Sequence, residues 1–187
     1  IVPVTSPESL EGVLGKAIDA GIPVIASNVA DPRPPEKRIK YLTYVGAAEY
    51  PTGYKVNERA FELIGADKIT KSVTFVHSPG HIGHEERARG HEDICKELGI
   101  PYTKVPADPT VEKCYEIMRA YLMANTNVDH CFVTAGWVAR AAKNAAEATG
   151  RKPGVDFWIS SVDESPFVIE PIREGWVIDT HSQGFYL

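Results

Sequence analysis

The sequence lacks most of the signatures that name a chemistry outright. It has no run of 18 apolar residues, which excludes a membrane-spanning helix. It has no GxxxxGK[ST], and no GxGxxG after a first strand, so the two common phosphate cradles are missing. There is no GxSxG elbow and no HExxH helix, the marks of a serine hydrolase and a zinc protease. Its three cysteines, Cys95, Cys114 and Cys131, form no CxxC pair, which excludes a zinc knuckle or a thioredoxin-type couple. The odd count leaves at least one thiol without an intramolecular partner, and Cys114 and Cys131 sit among apolar residues as small core hydrophobes. Positive charge is scarce: 20 Lys and Arg against 25 Asp and Glu give a net charge of −5. That balance argues against a nucleic-acid surface. No Gly/Ser, Gln/Asn or charge-block segment marks disorder.

The chain opens at Ile1 on a strand-like IVPVT with no initiator Met. It shows no basic stretch followed by an apolar one, so no signal peptide is read. The expectation is a processed chain or a piece of something longer. At 187 residues there is room for one domain, or for one domain and a fragment of another, with no need of disulfides.

What is present is a regular alternation. Short runs rich in Val, Ile, Phe and Tyr predict strands at 2–5, 23–27, 41–45, 72–77, 102–105, 130–134, 157–161 and 176–180,. Between them, helical patterns predict helices at 7–20, 49–64, 85–98, 111–124, 137–149 and 166–174. The first helix is well punctuated. Ser6-Pro7-Glu8 starts it, Leu10, Val13, Leu14, Ala17 and Ile18 keep its period, and Gly21 closes it,. The alanine-rich helix at 137–149 is suited to packing close to a sheet. Such alternation with short connectors implies an α/β fold of three αβα layers around a mostly parallel sheet. One segment breaks the rhythm: residues 28–40 are polar with three prolines, and read as a long surface loop or the approach to a crossover.

In such sheets, ligands bind beyond the carboxyl ends of the strands, where the strand order reverses. That rule selects Asn28, His77-Ser78-Pro79-Gly80, Ala107-Asp108, Thr134 to Trp137, Asp163-Glu164-Ser165 and His181-Ser182-Gln183. Three histidines, His77, His81 and His84, fall within eight residues and open the alternative of a metal-dependent hydrolase. The HxHxDH cluster that metallo-β-lactamase-like hydrolases need earlier in the chain is absent, so a ligand-facing or solvated loop is the simpler reading. Asp163 and Glu164 are adjacent at a strand end, so their side chains are expected to diverge rather than act as an acid–base pair. Arg87 and Arg89 stand near a predicted helix start, where the dipole disfavours a cation. Arg87 is therefore a candidate to fork onto ligand oxygens. Trp137, at the head of a helix, is a core or rim residue, or an apolar platform for a sugar ring.

Several segments together carry a resemblance: KAIDAGIPVI at 16–25, Tyr44-Val45-Gly46, Gly53, Arg87-Ala88-Arg89-Gly90, Val162-Asp163-Glu164-Ser165-Pro166 and Thr180-His181-Ser182-Gln183. In this order and spacing they resemble the type I periplasmic binding proteins, specifically the ribose-binding-like, sugar-binding subunits of ABC importers. The resemblance implies two α/β lobes that close on a ligand between them. Residues 1–45 would be a remnant of the N-terminal lobe, 46–181 an essentially complete C-terminal lobe, and 182–187 a return crossover. It implies a small sugar or polyol ligand, a membrane permease as partner, a periplasmic location, a monomer, no cofactor and no catalysis. Carried over one at a time, the ligand contacts would be Asn28, Arg87, Asp163 and Gln183. Trp137 would stand in for an aromatic the family places near Pro109. Val29, Ala135 and Gly136 replace polar family residues. Ribose itself is thereby disfavoured against a deoxysugar, a polyol or another small polar solute. With the cleft only half built, this chain alone is expected to bind weakly. The competing family reading is the effector-binding domain of a LacI-type transcription regulator, which shares the lobe architecture.

Overall fold

The computed structural model describes residues 1–183, so the part of the expected return crossover at 184–187 lies outside the described residues. Two parallel sheets are present. The smaller joins β1 (Ile25–Ser27) to β2 (Thr43–Val45). Helix α1 (Pro7–Asp19) lays Leu10, Leu14 and Ile18 on a small core of Val4, Ala26 and Ile39. The expected first strand at 2–5 is reduced to one bridge, Val2 beside Ala26. Val2 and Val4 still donate to Ile25 and Val29, but Val4 finds Val29 rather than Ser27 because Asn28 turns the partner strand with φ +63°, and the ladder stops there.

The larger sheet holds β3 (Ser72–Val76), β4 (Tyr102–Pro106), β5 (His130–Val133), β6 (Trp158–Val162) and β7 (Val177–His181). Their order is β4-β3-β5-β6-β7, and every pairing is parallel. Helices α2 (Glu49–Ile64) and α3 (Ile82–Glu97) cover one face through Ala60, Phe61, Ile64, Ile94 and Cys95. Helices α4 (Val111–Ala124), α5 (Gly136–Ala148) and α6 (Pro166–Arg173) cover the other, packing Met118, Leu122, Ala142, Ala145 and Val168 on Val73, Phe75 and Ile159. The protein is thus a three-layer αβα fold with a parallel sheet. All three cysteines are buried free thiols. Among the described residues no helix is long and apolar enough to cross a membrane.

Two expectations shift. The loop at 28–40 lies mostly at the surface, as expected, but it is anchored from below. Asp31 is buried and accepts from the backbone of Ile39 (2.9 Å) and from Arg33, so a carboxylate pins the segment from inside. Helix α3 begins at Ile82 rather than 85. Gly80 turns the chain with φ +82°, and Glu85 reaches back to accept from its N–H (3.1 Å), which closes the first turn one residue group earlier.

Helices α2 and α3 approach each other through glycine. A Cβ on Gly53 would collide with the Arg87 carbonyl oxygen and lie 2.6 Å from the Arg87 Cα and carbonyl carbon. One on Gly90 would lie 2.5 Å from the Tyr54 nitrogen and 3.0 Å from the Gly53 carbonyl carbon. Gly12, on α1, has open space around it. Gly53→Ala and Gly90→Ala should each cost about 2 kcal/mol, because rigid backbone must move. Gly12→Ala should instead stabilise by about 0.5–1 kcal/mol, because only helix entropy changes. Urea denaturation of the three variants checks both signs.

Candidate functional site

The chain runs from β3 to β4 on one side and then crosses back to β5 on the other side of β3, so the order reverses between β3 and β5. His77 follows β3 and Thr134 follows β5, and their side chains meet there, Nδ1 to Oγ1 at 3.1 Å. Arg87 reaches the same point from the second turn of α3. Its Nη1 donates to the Thr134 carbonyl at 2.8 Å, and its Nε donates to Glu49 Oε2. Both side chains are buried, Arg87 at 4% and Glu49 at 8% exposure. The helix dipole explains the arrangement. With α3 starting at Ile82, Arg87 lies beyond the first turn, and the acid Glu49 heads α2, where the dipole favours it. Burial pushes the Glu49 carboxyl up, against the lowering influence of Arg87. Its Oε1 is buried without a hydrogen-bond partner among the described residues.

Asp163 follows β6 and is half-buried. Its Oδ2 accepts from the Gly136 N–H (2.8 Å), the first amide of α5, and its Oδ1 accepts from Gln183 Nε2. Only Gly136 fits there, since a Cβ would lie 2.9 Å from that of Asp163. Glu164 turns away to accept from Ser182 Oγ at 2.8 Å, so the two acids diverge as expected. Asp163 (φ +77°) and Asn28 (φ +63°) are the two non-glycine residues with left-handed backbone among the described residues. Such conformations cost about 1 kcal/mol or more and gather at functional sites.

Trp137 is half-buried and meets His77 edge-on at 5.1 Å. His84 packs on His77 at 4.2 Å and stacks on His81 at 3.9 Å. Stacked rings present faces, not converging nitrogens. Among the described residues no group of three His, Cys, Asp or Glu could hold a metal ion, so the metal-hydrolase alternative has no centre to stand on. Burial lowers His77 to about 4 and His84 to about 2, with neighbouring histidines and Arg87 adding to the effect.

Thus Arg87, Trp137, Asp163 and Gln183 gather around the turn from β5 to α5. Asn28 stands at the end of β1 with its side chain exposed, and its carbonyl accepts from Tyr44 (2.9 Å). No described contact joins its side chain to the other four. Sequence reasoning missed Glu49. The available signal was its place on the buried stripe of α2 with Gly53, Val56 and Ala60, where an acid needs a partner. A cavity of about 370 Å³ adjoins the site, lined by Tyr41, Tyr44, Glu49, Tyr50, Ile82 and Gly83. It shares Glu49 with the set but none of the five expected residues.

The neutral histidines give the site an acid sensitivity. Between the ordinary histidine value near 6.5 and the lowered folded values, the unfolded chain binds protons that the folded one does not. Stability therefore falls as pH drops through that window. The melting temperature should decline from pH 7 to pH 4.5. His77→Gln with His84→Gln should flatten that decline by up to about two protons' worth of slope. An unchanged slope in the double variant, followed by differential scanning calorimetry, would count against burial as the cause.

Comparisons with known proteins bear on the fold and the family. A search of curated proteins returned no match. A periplasmic sugar-binding protein of an ABC sugar transporter from Legionella pneumophila superposes with TM-score 0.85 at 21% identity, over 97% of this chain and 65% of that one. GanP, a glucose–galactose binding protein from Geobacillus stearothermophilus, gives 0.85 at 19%, over 97% and 62%. An ABC transporter periplasmic solute-binding protein from Actinobacillus succinogenes with bound D-allose gives 0.82 at 25%, over 98% and 65%. The chain therefore spans less than two thirds of the length of these solved proteins. The family model described as periplasmic binding protein domain matches residues 1–186, and the chain belongs to that family.

Proposed function

We propose that this chain is part of a solute-binding protein that captures a small sugar or polyol for an ABC importer. The ligand would sit between two lobes, with the remnant at 1–45 on one side and the lobe at 46–181 on the other. Lobe closure would signal occupancy to a membrane permease. The location would be periplasmic, the protein a monomer, and the role binding without catalysis. The observation that carries this reading is the meeting of Arg87 and Asp163 at the turn from β5 to α5, one on the Thr134 carbonyl and one on the Gly136 amide. A planar donor fork and a carboxylate on one rim match the vicinal hydroxyls of a sugar. Trp137 offers an apolar face beside them. The bound D-allose and the glucose–galactose specificity named for the two solved neighbours make sugars the first class to try.

Isothermal titration of the protein at its natural length, against D-ribose, D-allose, D-galactose, L-fucose and myo-inositol, tests the reading. At least one should bind. Arg87→Ala and Asp163→Ala should each weaken that binding about 10- to 100-fold, the cost of a lost charge-assisted hydrogen bond. Binding to none of the panel, or two silent variants, would refute it.

A further inference from the structure

Arg87 and Glu49 form a buried pair at the rim of the site. The surroundings are shaped around the carboxylate. Gly83 in the first turn of α3 leaves its Cβ position only 3.2 Å from Glu49 Oε1, so any larger residue would crowd it. A buried ion pair contributes little net stability and is often worth less than an apolar replacement. Its effect on the electrostatics of a site can be much larger, because charge is weakly screened there.

The charges can be counted. Arg87 brings one positive charge; Glu49 and Asp163 bring two negative ones. His77, His81 and His84 surround the guanidinium, and burial holds them toward the neutral form, so they add no positive charge at neutral pH. Glu86, the other acid that acts on Glu49, is paired with Arg89. Arg87 Nη2 has no partner among the described residues, and Nε and Nη1 are taken. The guanidinium thus offers a hydrogen-bond donor to a ligand while its charge is already cancelled.

We propose that Glu49 is a specificity-determining residue: by neutralising Arg87 it makes the site take an uncharged polyhydroxylated ligand and reject the matching carboxylate. This rests on the reading of Arg87 and Asp163 as ligand contacts. Without Glu49 the count at the site rises from one net negative charge to none and the arginine loses its direct carboxylate partner, so its guanidinium is free to grip an anion,. The acid therefore acts on the ligand through Arg87 and is a positioning and screening group rather than a contact.

The test is titration of matched pairs, D-glucose with D-glucuronate and D-galactose with D-galacturonate, on wild type, Glu49→Gln and Glu49→Asp at pH 7.5. Wild type should bind the neutral member of its preferred pair at least about tenfold more tightly than the uronate. Glu49→Gln should shrink or reverse that ratio by about tenfold. Glu49→Asp keeps the charge and should keep the preference, even where overall affinity falls. It also decides the matter if Glu49→Gln does not fold. A wild type that binds the uronate equally well, a Glu49→Gln variant with the wild-type ratio, or a Glu49→Asp variant that loses the preference, would each overturn the proposal while leaving the sugar-binding reading intact. Wild type that binds neither member of either pair would overturn the proposal, and the sugar-binding reading falls with it only if no sugar of the panel above binds either.

Discussion

Arg87 has its backbone against Gly53 and its guanidinium against Glu49, one turn earlier on the same helix. The contact of α2 with α3 thus sets both the position and the direction of one side chain. A side chain at Gly53 would separate the helices, and the guanidinium would lose the Thr134 carbonyl with them. That carbonyl belongs to the turn whose next amide but one, on Gly136, holds Asp163. Two close backbone approaches, at Gly53 and at Gly136, therefore fix the two charged residues relative to each other. The remaining features of the rim follow from this frame: Trp137 is carried by α5, and Gln183 is tied to Asp163.

The energetics separate support from purpose. The αβα core rests on apolar contacts such as Phe75, Phe132, Met118 and Ile159, all fully buried. The site gains little from them and carries features that oppose stability. These are two non-glycine residues in left-handed conformation, two histidines (His77 and His84) kept neutral by burial, and a carboxylate oxygen buried without a partner. Strained backbone and buried groups of this kind gather at functional sites. All but Asn28, which stands at the end of β1 in the smaller sheet, lie near the reversal point of the larger sheet, where an open parallel sheet leaves a crevice,.

The fold was legible because strand and helix periods differ and the chain keeps them apart. The six helices and seven of the eight strands lie where hydrophobic spacing puts them. The failures were local. The left-handed Asn28 broke the partner's register and cut the first strand to a bridge, and the turn at Gly80 let α3 begin three residues earlier than Glu85. The surface loop at 28–40 held an anchor that composition does not show, the buried carboxylate of Asp31. Of the site, Arg87, Asp163, Gln183 and Trp137 were found from strand ends and chain order. Glu49 was not, because its importance comes from a residue 38 positions away that periodicity alone does not link to it. The histidine cluster invited a metal from its spacing, yet ring orientation decides coordination, and spacing does not encode it.

The most direct test of this account is a crystal structure of the protein with the sugar or polyol that binds it best. The account predicts ligand oxygens within hydrogen-bond distance of Arg87 and Asp163, one ring face toward Trp137, and the Arg87–Glu49 pair intact. A ligand seated instead in the neighbouring cavity against Tyr41 and Tyr50, with Arg87 untouched, would contradict it.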